Sequence, residues 1–92
     1  MSPSSNTVRL LSPAVNYAVV HLPGREFPGV VFQGDSLFAL CRLAQRLDQR
    51  ARAIGDTEME DDVAELRRSL EKPLLNYESV LRSHGLSLPY SK

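Results

Sequence analysis

The 92-residue chain has no tryptophan, one cysteine and few other aromatic residues, namely three phenylalanines and three tyrosines. The lone cysteine, Cys41, excludes an intrachain disulfide, so we expect a reducing, cytoplasmic location. No apolar run reaches the roughly 18 residues that a membrane-spanning helix needs, and we expect no membrane insertion. Residues 1–6 have no charged start followed by an apolar segment, so we expect a disordered tail rather than a signal peptide.

The chain also has no excess of charge and few metal ligands. Eleven basic residues balance eleven acidic ones, whereas binding to nucleic acid or anionic lipid generally needs a surplus of lysine and arginine. Two histidines and one cysteine are too few, and wrongly spaced, for a structural zinc site. The acidic run Glu60-Asp61-Asp62 lacks the alternating spacing and the glycine of a calcium loop. We therefore predict no metal, no cofactor and no nucleic-acid partner.

Short apolar segments separated by turn residues predict strands in the first third of the chain. Thr7–Leu11 predicts a first strand at an edge of the sheet. Both faces of Asn16–Leu22 are largely apolar, which predicts either a central strand or a strand whose second face is covered. Pro23-Gly24 and Phe27-Pro28-Gly29 are turn signals. The strand Val30–Gln33 follows, and we expect it to form an antiparallel hairpin with Asn16–Leu22.

Apolar residues at spacings of three and four predict an amphipathic helix that begins after Gly34 and ends at Gly55. We expect Asp35 or Ser36 to cap its start, and Gly55 to end it in a left-handed conformation. Its apolar stripe consists of Leu37, Leu40, Cys41, Ala44, Leu47, Ala51 and Ile54. Because Cys41 lies on this stripe, we expect a buried, unreactive thiol.

A second helix is predicted by the capping-box pattern Thr57-Glu58-Met59-Glu60, in which the side chains of Thr57 and Glu60 accept from each other's amides. Its apolar stripe continues in phase past Pro73, so the pattern allows either one kinked helix or two helices that meet near Lys72. We expect Gly85 to end the helix, with Leu86 folding back. Residues 89–92 are expected to form an extended tail.

Together these segments predict a single α+β domain over residues 7–88. In this domain a two- or three-stranded antiparallel sheet is followed by an antiparallel helical hairpin that covers one face of the sheet. So small a sheet leaves its second face poorly covered and its edges open, which favours a protein partner, and a homodimer is the simplest solution. The two faces are lined by Tyr17, Val19 and His21 and by Ala18, Val20 and Leu22.

The letters Gly34-Asp35-Ser36-Leu37 are those of the GDSL hydrolases, in which the serine is the nucleophile. Such an enzyme needs an oxyanion hole and a histidine base, which in that family lies in a late Asp-x-x-His motif. His84 has no aspartate three residues before it, and the chain is short for that α/β fold. A helix cap therefore explains Asp35 and Ser36 better than catalysis does, and we predict no catalytic residue.

The connection between the two strands of the hairpin carries residue types that are enriched at interfaces. Arg25, Glu26 and Phe27 lie there beside prolines, and Tyr17 and His21 lie on one face of the preceding strand. We predict that these five residues form a partner-binding site. The alternative is that Phe27 folds under the sheet and that Arg25 is simply solvated.

The segment from Phe27 to Leu37, F-P-G-V-V-F-Q-G-D-S-L, resembles the core of HicB-type antitoxins. In that family a Pro-Gly precedes a short strand, and a Gly-Asp-Ser/Thr begins the next helix. With the preceding strand included, the resemblance covers roughly a third of the chain. It implies a β-β-β-α unit with Thr7–Leu11 as its first strand. It also implies a domain that neutralises a small ribonuclease toxin, often alongside a separate C-terminal DNA-binding segment.

The chain departs from the HicB pattern in the helix after Asp35, which is not acidic and alanine-rich, and in its C-terminal part, a long acidic helix. The core R-x-F-P-G…Q-G-D-S-L is also similar to that of small uncharacterised bacterial proteins.

Three functional hypotheses follow. The first is a non-enzymatic bacterial antitoxin or immunity-type protein that binds a toxin or a second copy of itself. The second is a dimeric small-ligand-binding or regulatory domain, and the third is a minimal serine hydrolase using Ser36.

Overall fold

The computed structural model describes residues 7–12 and 17–92, which divide into two compact units. The first unit ends at Gln33 and contains a sheet, and the second, Gly34–Lys92, contains two helices. The chain therefore has the predicted α+β class, with an antiparallel sheet followed by helices. The expected tail at residues 1–6 and the expected strand start at Asn16 lie outside the described residues. That the helices cover one face of the sheet, within a single domain, stays a prediction.

The sheet has three antiparallel strands in the order β1-β2-β3. They are β1 (Arg9–Leu10), β2 (Tyr17–His21) and β3 (Gly29–Phe32). This order confirms that β2 is central and that β1 lies at an edge. Val, Ile and aromatic residues favour extended backbone because their side chains fit a pleated surface, and the segments of β2 and β3 are rich in valine and aromatics.

A tight turn opens the connection between β2 and β3, as its sequence predicts. The amide of Arg25 donates to the carbonyl oxygen of Leu22 (3.3 Å), and Gly24 has a φ of 77°. Proline before a residue with positive φ is typical of a type II turn, and glycine occupies that conformation without steric cost. Pro23 and Gly24 thus reverse the chain and begin an exposed loop that runs to Pro28.

The first helix, α1, covers Gly34–Ile54. It begins at Gly34, so Asp35 and Ser36 lie in its first turn rather than at the cap, and the predicted start is wrong by one or two residues. The Asp35 carboxylate nevertheless accepts from the amide of Ser36 (2.8 Å), and a negative charge at this end suits the helix dipole. Gly55 follows the helix with a φ of 80°, as predicted.

The second helix, α2, covers Thr57–Ser83 without interruption, so it is one helix through Pro73. Its N-cap is Asp56, whose Oδ1 accepts from the amide of Met59 (3.1 Å), and the predicted capping box at Thr57 is wrong by one residue. The end at Gly85 is confirmed. The amides of Gly85 and Leu86 donate to the carbonyl oxygens of Arg82 (3.1 Å) and Leu81 (2.9 Å), which is the Schellman arrangement.

Side-chain contacts show that α1 and α2 form an antiparallel hairpin. Gln45 Nε2 donates to Glu71 Oε2 (3.3 Å), and Arg67 Nη1 donates to Asp48 Oδ2 (2.8 Å), so residue numbers rise along one helix as they fall along the other. The buried apolar residues of the two helices are few and mostly small: Cys41, Ala44, Ala51 and Leu74. None of the helices among the described residues has the length and apolar character required to span a bilayer.

Candidate functional site

The strand register gives the sheet one face with aromatic residues. Tyr17 lies opposite Phe32, Val19 lies opposite Val30, and directly opposed residues share a face. His21 has the same parity on β2 and completes this aromatic face. The rings of Tyr17 and Phe32 meet edge to face with centroids 6.4 Å apart. All of these residues except the half-buried His21 are exposed, so the aromatic face is a largely apolar surface open to solvent, with the exposed Arg9 of β1 opposite His21 at one end.

The opposite, aliphatic face of the sheet carries Leu10, Ala18, Val20 and Val31. Val20 is buried, Ala18 is half-buried, and Leu10 and Val31 at the two edges are exposed. The predicted Tyr17/Val19/His21 and Ala18/Val20 alternation is therefore confirmed as two faces. These four residues are all apolar, so the second face of the sheet is apolar as well.

The outer edge of β3 carries no further strand in the described sheet. All four residues of β3 are exposed, and Val30 retains 58% of its accessible surface. The strand contains no charged residue, and Pro28 directly before it discourages strand addition only at its start. An apolar, uncharged edge of this kind is competent to accept a strand from another chain through main-chain hydrogen bonds.

The loop after β2 places Phe27 in solvent, with 74% of its surface accessible. This exposure argues against the alternative in which Phe27 folds under the sheet. His21 Nε2 donates to the carbonyl oxygen of Arg25 (2.8 Å), because a carbonyl can only accept, so the histidine ties the loop to the end of β2. The side chains of Arg25 and Glu26 are exposed beside Phe27.

The five predicted partner-binding residues thus form two groups on the same hairpin. His21, Arg25, Glu26 and Phe27 lie at its loop end. Tyr17 lies at the far end of β2, four residues and about 13 Å from His21 at the usual rise of a strand. The aromatic face lies between the two groups and joins them. Val30 and Phe32 of β3 belong to this same face.

The residues considered for catalysis are far less organised. Ser36 lies in the first turn of α1, where its amide donates to Asp35. His84 forms the C-cap of α2, and its Nδ1 donates to the carbonyl oxygen of Val80 (2.9 Å). The Ser83 hydroxyl donates to that same carbonyl (2.8 Å). Among the described residues, no histidine, cysteine, aspartate and glutamate side chains form a group of three able to hold a metal ion.

A second site occurs in the hairpin, where the tail after α2 closes over a buried acid. Tyr90 stacks on Phe38 with ring centroids 3.9 Å apart, and its hydroxyl donates to Glu78 Oε2 (2.7 Å). Lys92 Nζ donates to Glu78 Oε1 (3.1 Å), and the side chain of Glu78 is only 4% exposed. The predicted extended tail at residues 89–92 is therefore held to the helices at Tyr90 and Lys92.

This tail contact borders a cavity of about 270 Å³ between the helices. The hydrogen bond from Tyr90, followed by the bond from Lys92, holds the pKa of Glu78 below its ordinary value despite burial. Burial raises the pKa of the Cys41 thiol, and the nearby charges of Glu71 and Glu78 raise it further. Cys41 is 2% exposed, so the predicted burial is confirmed, and these surroundings favour the neutral thiol over the reactive thiolate.

An ion-pair network crosses the middle of the hairpin. Asp48 Oδ1 accepts from Arg52 Nε (3.2 Å), and its other oxygen accepts from Arg67, whose Nε donates to Glu71 (2.9 Å). Hydrogen bonds from Arg52 and Arg67 lower the pKa of Asp48, and the bond from Arg67 lowers that of Glu71. Asp48, whose side chain is only 5% exposed, is thus paired with two more exposed arginines, as a buried charge must be.

Comparison with known protein families matches residues 3–90 to the family of unknown function DUF6959. The chain belongs to this family. The match includes the segments of all three strands and both helices, so the aromatic face, Glu78 and Tyr90 lie within the family's extent, and Lys92 lies just beyond it. No curated protein and no solved structure is similar to the chain in these comparisons. The resemblance to HicB-type antitoxins therefore stays a prediction for this DUF6959 protein.

Sequence reasoning missed the buried acids of this DUF6959 hairpin. Glu71, Leu74, Glu78 and Leu81 recur at spacings of three and four, and Glu78 lies on this α1-facing line with buried Leu74. That phase is a signal by which Glu78 could have been placed at the helix interface. Nothing in the sequence indicates that Tyr90 supplies its hydrogen-bond donor, because the two residues are joined through a tail of no regular structure.

Proposed function

We propose that this DUF6959 protein is a non-enzymatic protein-binding module of the antitoxin or immunity type. The observation that carries the proposal is the uncharged, exposed strand β3, which continues the aromatic face to the edge of the described sheet. Natural proteins usually protect such an edge with lysine, proline, a bulge or a covering segment, because an apolar edge pairs with other chains. A partner that adds a strand to β3 would remove both the open edge and the apolar exposure.

The loop end of the hairpin supports the same proposal. Phe27 and Arg25 are residue types that dominate the binding energy of protein interfaces, and both are exposed. The bond from His21 to the Arg25 carbonyl reduces the freedom that the loop would otherwise lose on binding. A partner docked along β3 would meet Phe27 at one end of the strand and Phe32 at the other.

The antitoxin assignment rests on the resemblance of the Phe27–Leu37 segment to HicB-type antitoxins, together with this open edge. An immunity-type protein needs the same property, a preformed surface that occupies its target. A cytoplasmic bacterial protein partner, or a second copy of the chain, is the expected ligand, and the balanced charge of the chain gives no support to nucleic acid.

Affinity purification of the tagged chain from its native host tests this proposal. The wild type is expected to retain a stoichiometric protein partner, and Val31→Lys is expected to release it, because a lysine in the middle of an edge strand opposes strand addition. Arg25→Ala combined with Phe27→Ala is expected to weaken binding at least tenfold, about 1.4 kcal/mol, since hot-spot residues of these types often contribute more.

Arg68→Ala provides the matched control, because Arg68 is an exposed residue of α2 and belongs neither to the sheet nor to its loop. This variant should retain the partner as the wild type does. Circular dichroism should be unchanged for all variants, since each substituted side chain is exposed. Equal retention of the partner by wild type and Val31→Lys would remove the sheet edge from the interface and with it the proposal.

The cavity beside Glu78 favours a second candidate, a small-ligand-binding or regulatory domain. Its walls include Phe38, Leu74 and Leu75, with the carboxylates of Glu71 and Glu78 as polar groups. A volume of about 270 Å³ is near the lower limit for small-molecule sites. Native mass spectrometry of the protein purified from its host distinguishes the candidates, because a bound small molecule without a protein partner would favour this one.

A minimal hydrolase using Ser36 would instead lose turnover, with its fold intact, on Ser36→Ala.

A further inference from the structure

The helical hairpin carries an apolar face whose residues belong to neither the sheet nor the lining of the Glu78 cavity. Leucines from the two helices converge on a second cavity of about 270 Å³, and no polar side chain lines it. We call this surface the leucine face. Its residues are Leu40, Leu43 and Leu47 on α1 with Leu66 and Leu70 on α2.

The spacing of these residues is that of a helix-bundle seam. On α1 the steps from Leu40 to Leu43, Leu47 and Ile54 are three, four and seven residues. On α2 the steps from Met59 to Val63, Leu66 and Leu70 are four, three and four residues. Most of these side chains are exposed in the chain alone, and Leu66 retains 48% of its surface. Two helices enclose only the line along which they meet, so a hairpin with a wide apolar face needs a further layer to bury it.

The flanks of the leucine face carry opposite charges on the two helices. At 100° per residue, Arg46 and Arg50 lie beside the leucines of α1 on the side away from α2. On the same reasoning Asp62 and Glu65 lie beside the leucines of α2 on the side away from α1. All four side chains are exposed, and none of them takes part in an ion pair among the described residues.

The helix contacts fix the levels of these charges along the hairpin. Asp48 lies level with Arg67, because their side chains bond directly. Arg50, two residues further along α1, is therefore level with Glu65, two residues earlier on α2. The basic flank and the acidic flank thus occupy the same height on opposite sides of the leucine face.

We propose that the leucine face binds a second copy of the chain, with the two-fold axis parallel to the helices, to form a four-helix bundle. This axis places α1 of each protomer over α2 of the other and preserves height, so Arg50 meets Glu65 of the partner subunit. A two-fold axis across the helices would instead place the arginine flanks together. Charge complementarity therefore selects the second copy and the orientation at once.

The dimensions of the face suit a dimer. The seam from Leu40 to Ile54 is about 21 Å long, and two packed helices are about 20 Å wide, which gives a footprint of about 400 Å² before the charged flanks are added. Standard protein interfaces bury about 800 Å² of accessible surface on each partner, so the face and its charged flanks are of the required order. The dimer uses residues of α1 and α2 only, and none of them belongs to the sheet edge of the proposed function.

Sedimentation equilibrium on the purified chain tests the proposal. The wild type is expected to show a concentration-dependent dimer, and Leu43→Gln with Leu66→Gln to sediment as a monomer with unchanged helical circular dichroism. Arg50→Glu alone, or Glu65→Lys alone, should raise the dissociation constant roughly tenfold, because two symmetry-related attractions become repulsions. The double variant Arg50→Glu/Glu65→Lys should recover wild-type association, since the charges are exchanged on both flanks.

Arg68→Glu and Asp61→Lys are the matched controls, because these charges lie on the helix surface opposite the leucines. They should leave the dissociation constant unchanged. A wild type that remains monomeric at hundreds of micromolar would overturn the proposal, as would a double variant that associates no better than either single variant. Dimerisation abolished by Val31→Lys, and not by the leucine substitutions, would place self-association at the sheet edge instead.

Discussion

At the residue scale, Gly34 permits a close approach that no other residue allows. It is buried in the first turn of α1, and a Cβ added there would overlap the ring of Tyr77 on α2. The sequence predicts a glycine that ends a strand, and it gives no sign that this glycine also receives an aromatic ring. The reason is that the contact joins residues far apart in the chain, and their spacing depends on how the hairpin packs.

We expect Gly34→Ala to lower the free energy of unfolding by about 1–3 kcal/mol, because overpacking forces the Tyr77 ring or the helix to move. In a Tyr77→Ala background the same substitution should be neutral or stabilising by up to about 1 kcal/mol, since alanine is the better helix former. Urea unfolding of the four proteins in this cycle measures the coupling. Equal costs in both backgrounds would contradict the contact.

The hydroxyl of Tyr90 is the second residue-scale feature, because it donates to a buried carboxylate. Tyr90→Phe retains the stacking on Phe38 and removes only the donor. We expect a loss of about 1.5–3 kcal/mol at pH 7, the usual value for a hydrogen bond to a charged group. Lys92→Met should cost less, about 0–1 kcal/mol, because the ammonium group is largely exposed.

The pH dependence of the Tyr90→Phe effect provides an independent check. The bond lowers the pKa of Glu78 in the folded protein. The bond therefore stabilises the fold fully at pH values above the pKa that Glu78 has in the unfolded chain, and this stabilisation is lost as the pH falls through the lower pKa of the folded state. Urea unfolding at a series of pH values should therefore show the wild-type and Tyr90→Phe curves converging on acidification. Curves that remain parallel down to pH 3 would mean that Tyr90 acts by packing alone.

At the element scale, the start of α2 shows how two similar patterns compete. Asp56 and Thr57 are both good N-cap residues, and Thr57 with Glu60 also satisfies the capping-box pattern, so the sequence favours Thr57. The structure selects Asp56, whose carboxylate reaches the amide of Met59. Glycine at position 55 in the left-handed conformation leaves only Asp56 between the helices, which fixes the start one residue earlier.

We expect Asp56→Ala to destabilise the protein by about 0.5–2 kcal/mol, because it removes the cap of a long helix. Thr57→Ala should change stability by less than about 0.5 kcal/mol, since an exposed first-turn residue without a capping role contributes little. Thermal unfolding followed by circular dichroism at 222 nm ranks the two. The opposite ranking would restore the capping box at Thr57.

Pro73 is the element-scale feature that the sequence left undecided. The apolar stripe in phase on both sides of it favours continuity, and its missing N–H favours a break, so pattern alone could not choose. Packing along the line of Arg67, Glu71, Leu74 and Glu78 decides the outcome, and α2 continues through the proline. In contrast Gly85 could be predicted from sequence, because the left-handed cap is a property of the glycine itself.

We expect Pro73→Ala to stabilise α2 by about 1–3 kcal/mol, because an alanine N–H can bond the carbonyl of Ser69 and the proline ring no longer crowds that turn. Pro73 is exposed, so no packed side chain is lost. Urea unfolding measures the change. A destabilised Pro73→Ala would indicate that the two halves of α2 need the proline's geometry to contact α1.

At the scale of the whole molecule, local signals and long-range contacts were predicted with different success. The α+β class, the three strands and the two helices follow from periodicity and from Gly and Pro punctuation, which act within a few residues. The candidate loop at Arg25 and Phe27 followed from residue type in the same way. The Glu78 site and the Asp48 network could not be predicted, because a buried charge depends on partners such as Tyr90 and Arg67 that come from other segments.

Because of these ionisable groups, the free energy of unfolding falls both when the pH is lowered and when it is raised. Hydrogen bonds from arginine, tyrosine and lysine lower the pKa of Asp48, Glu71 and Glu78. Their contributions are present above the unfolded carboxyl pKa and are lost as the pH falls. Burial raises the pKa of the Cys41 thiol and of the Tyr90 phenol, whose contributions are complete below their unfolded values and are lost as the pH rises.

We therefore expect the free energy of unfolding to be greatest between about pH 5 and pH 8 and to fall on either side. Asp48→Asn should lower the free energy of unfolding at pH 7. It should also make this free energy fall less steeply on acidification (the acid limb of the curve), because the folded protein no longer contains a carboxylate that resists protonation at this position. Asp61→Asn is the control, since Asp61 is exposed and forms no ion pair among the described residues. Cys41→Ala should flatten the start of the alkaline limb. An acid limb as steep in Asp48→Asn as in the wild type would mean that the Arg52 and Arg67 contacts do not persist in solution.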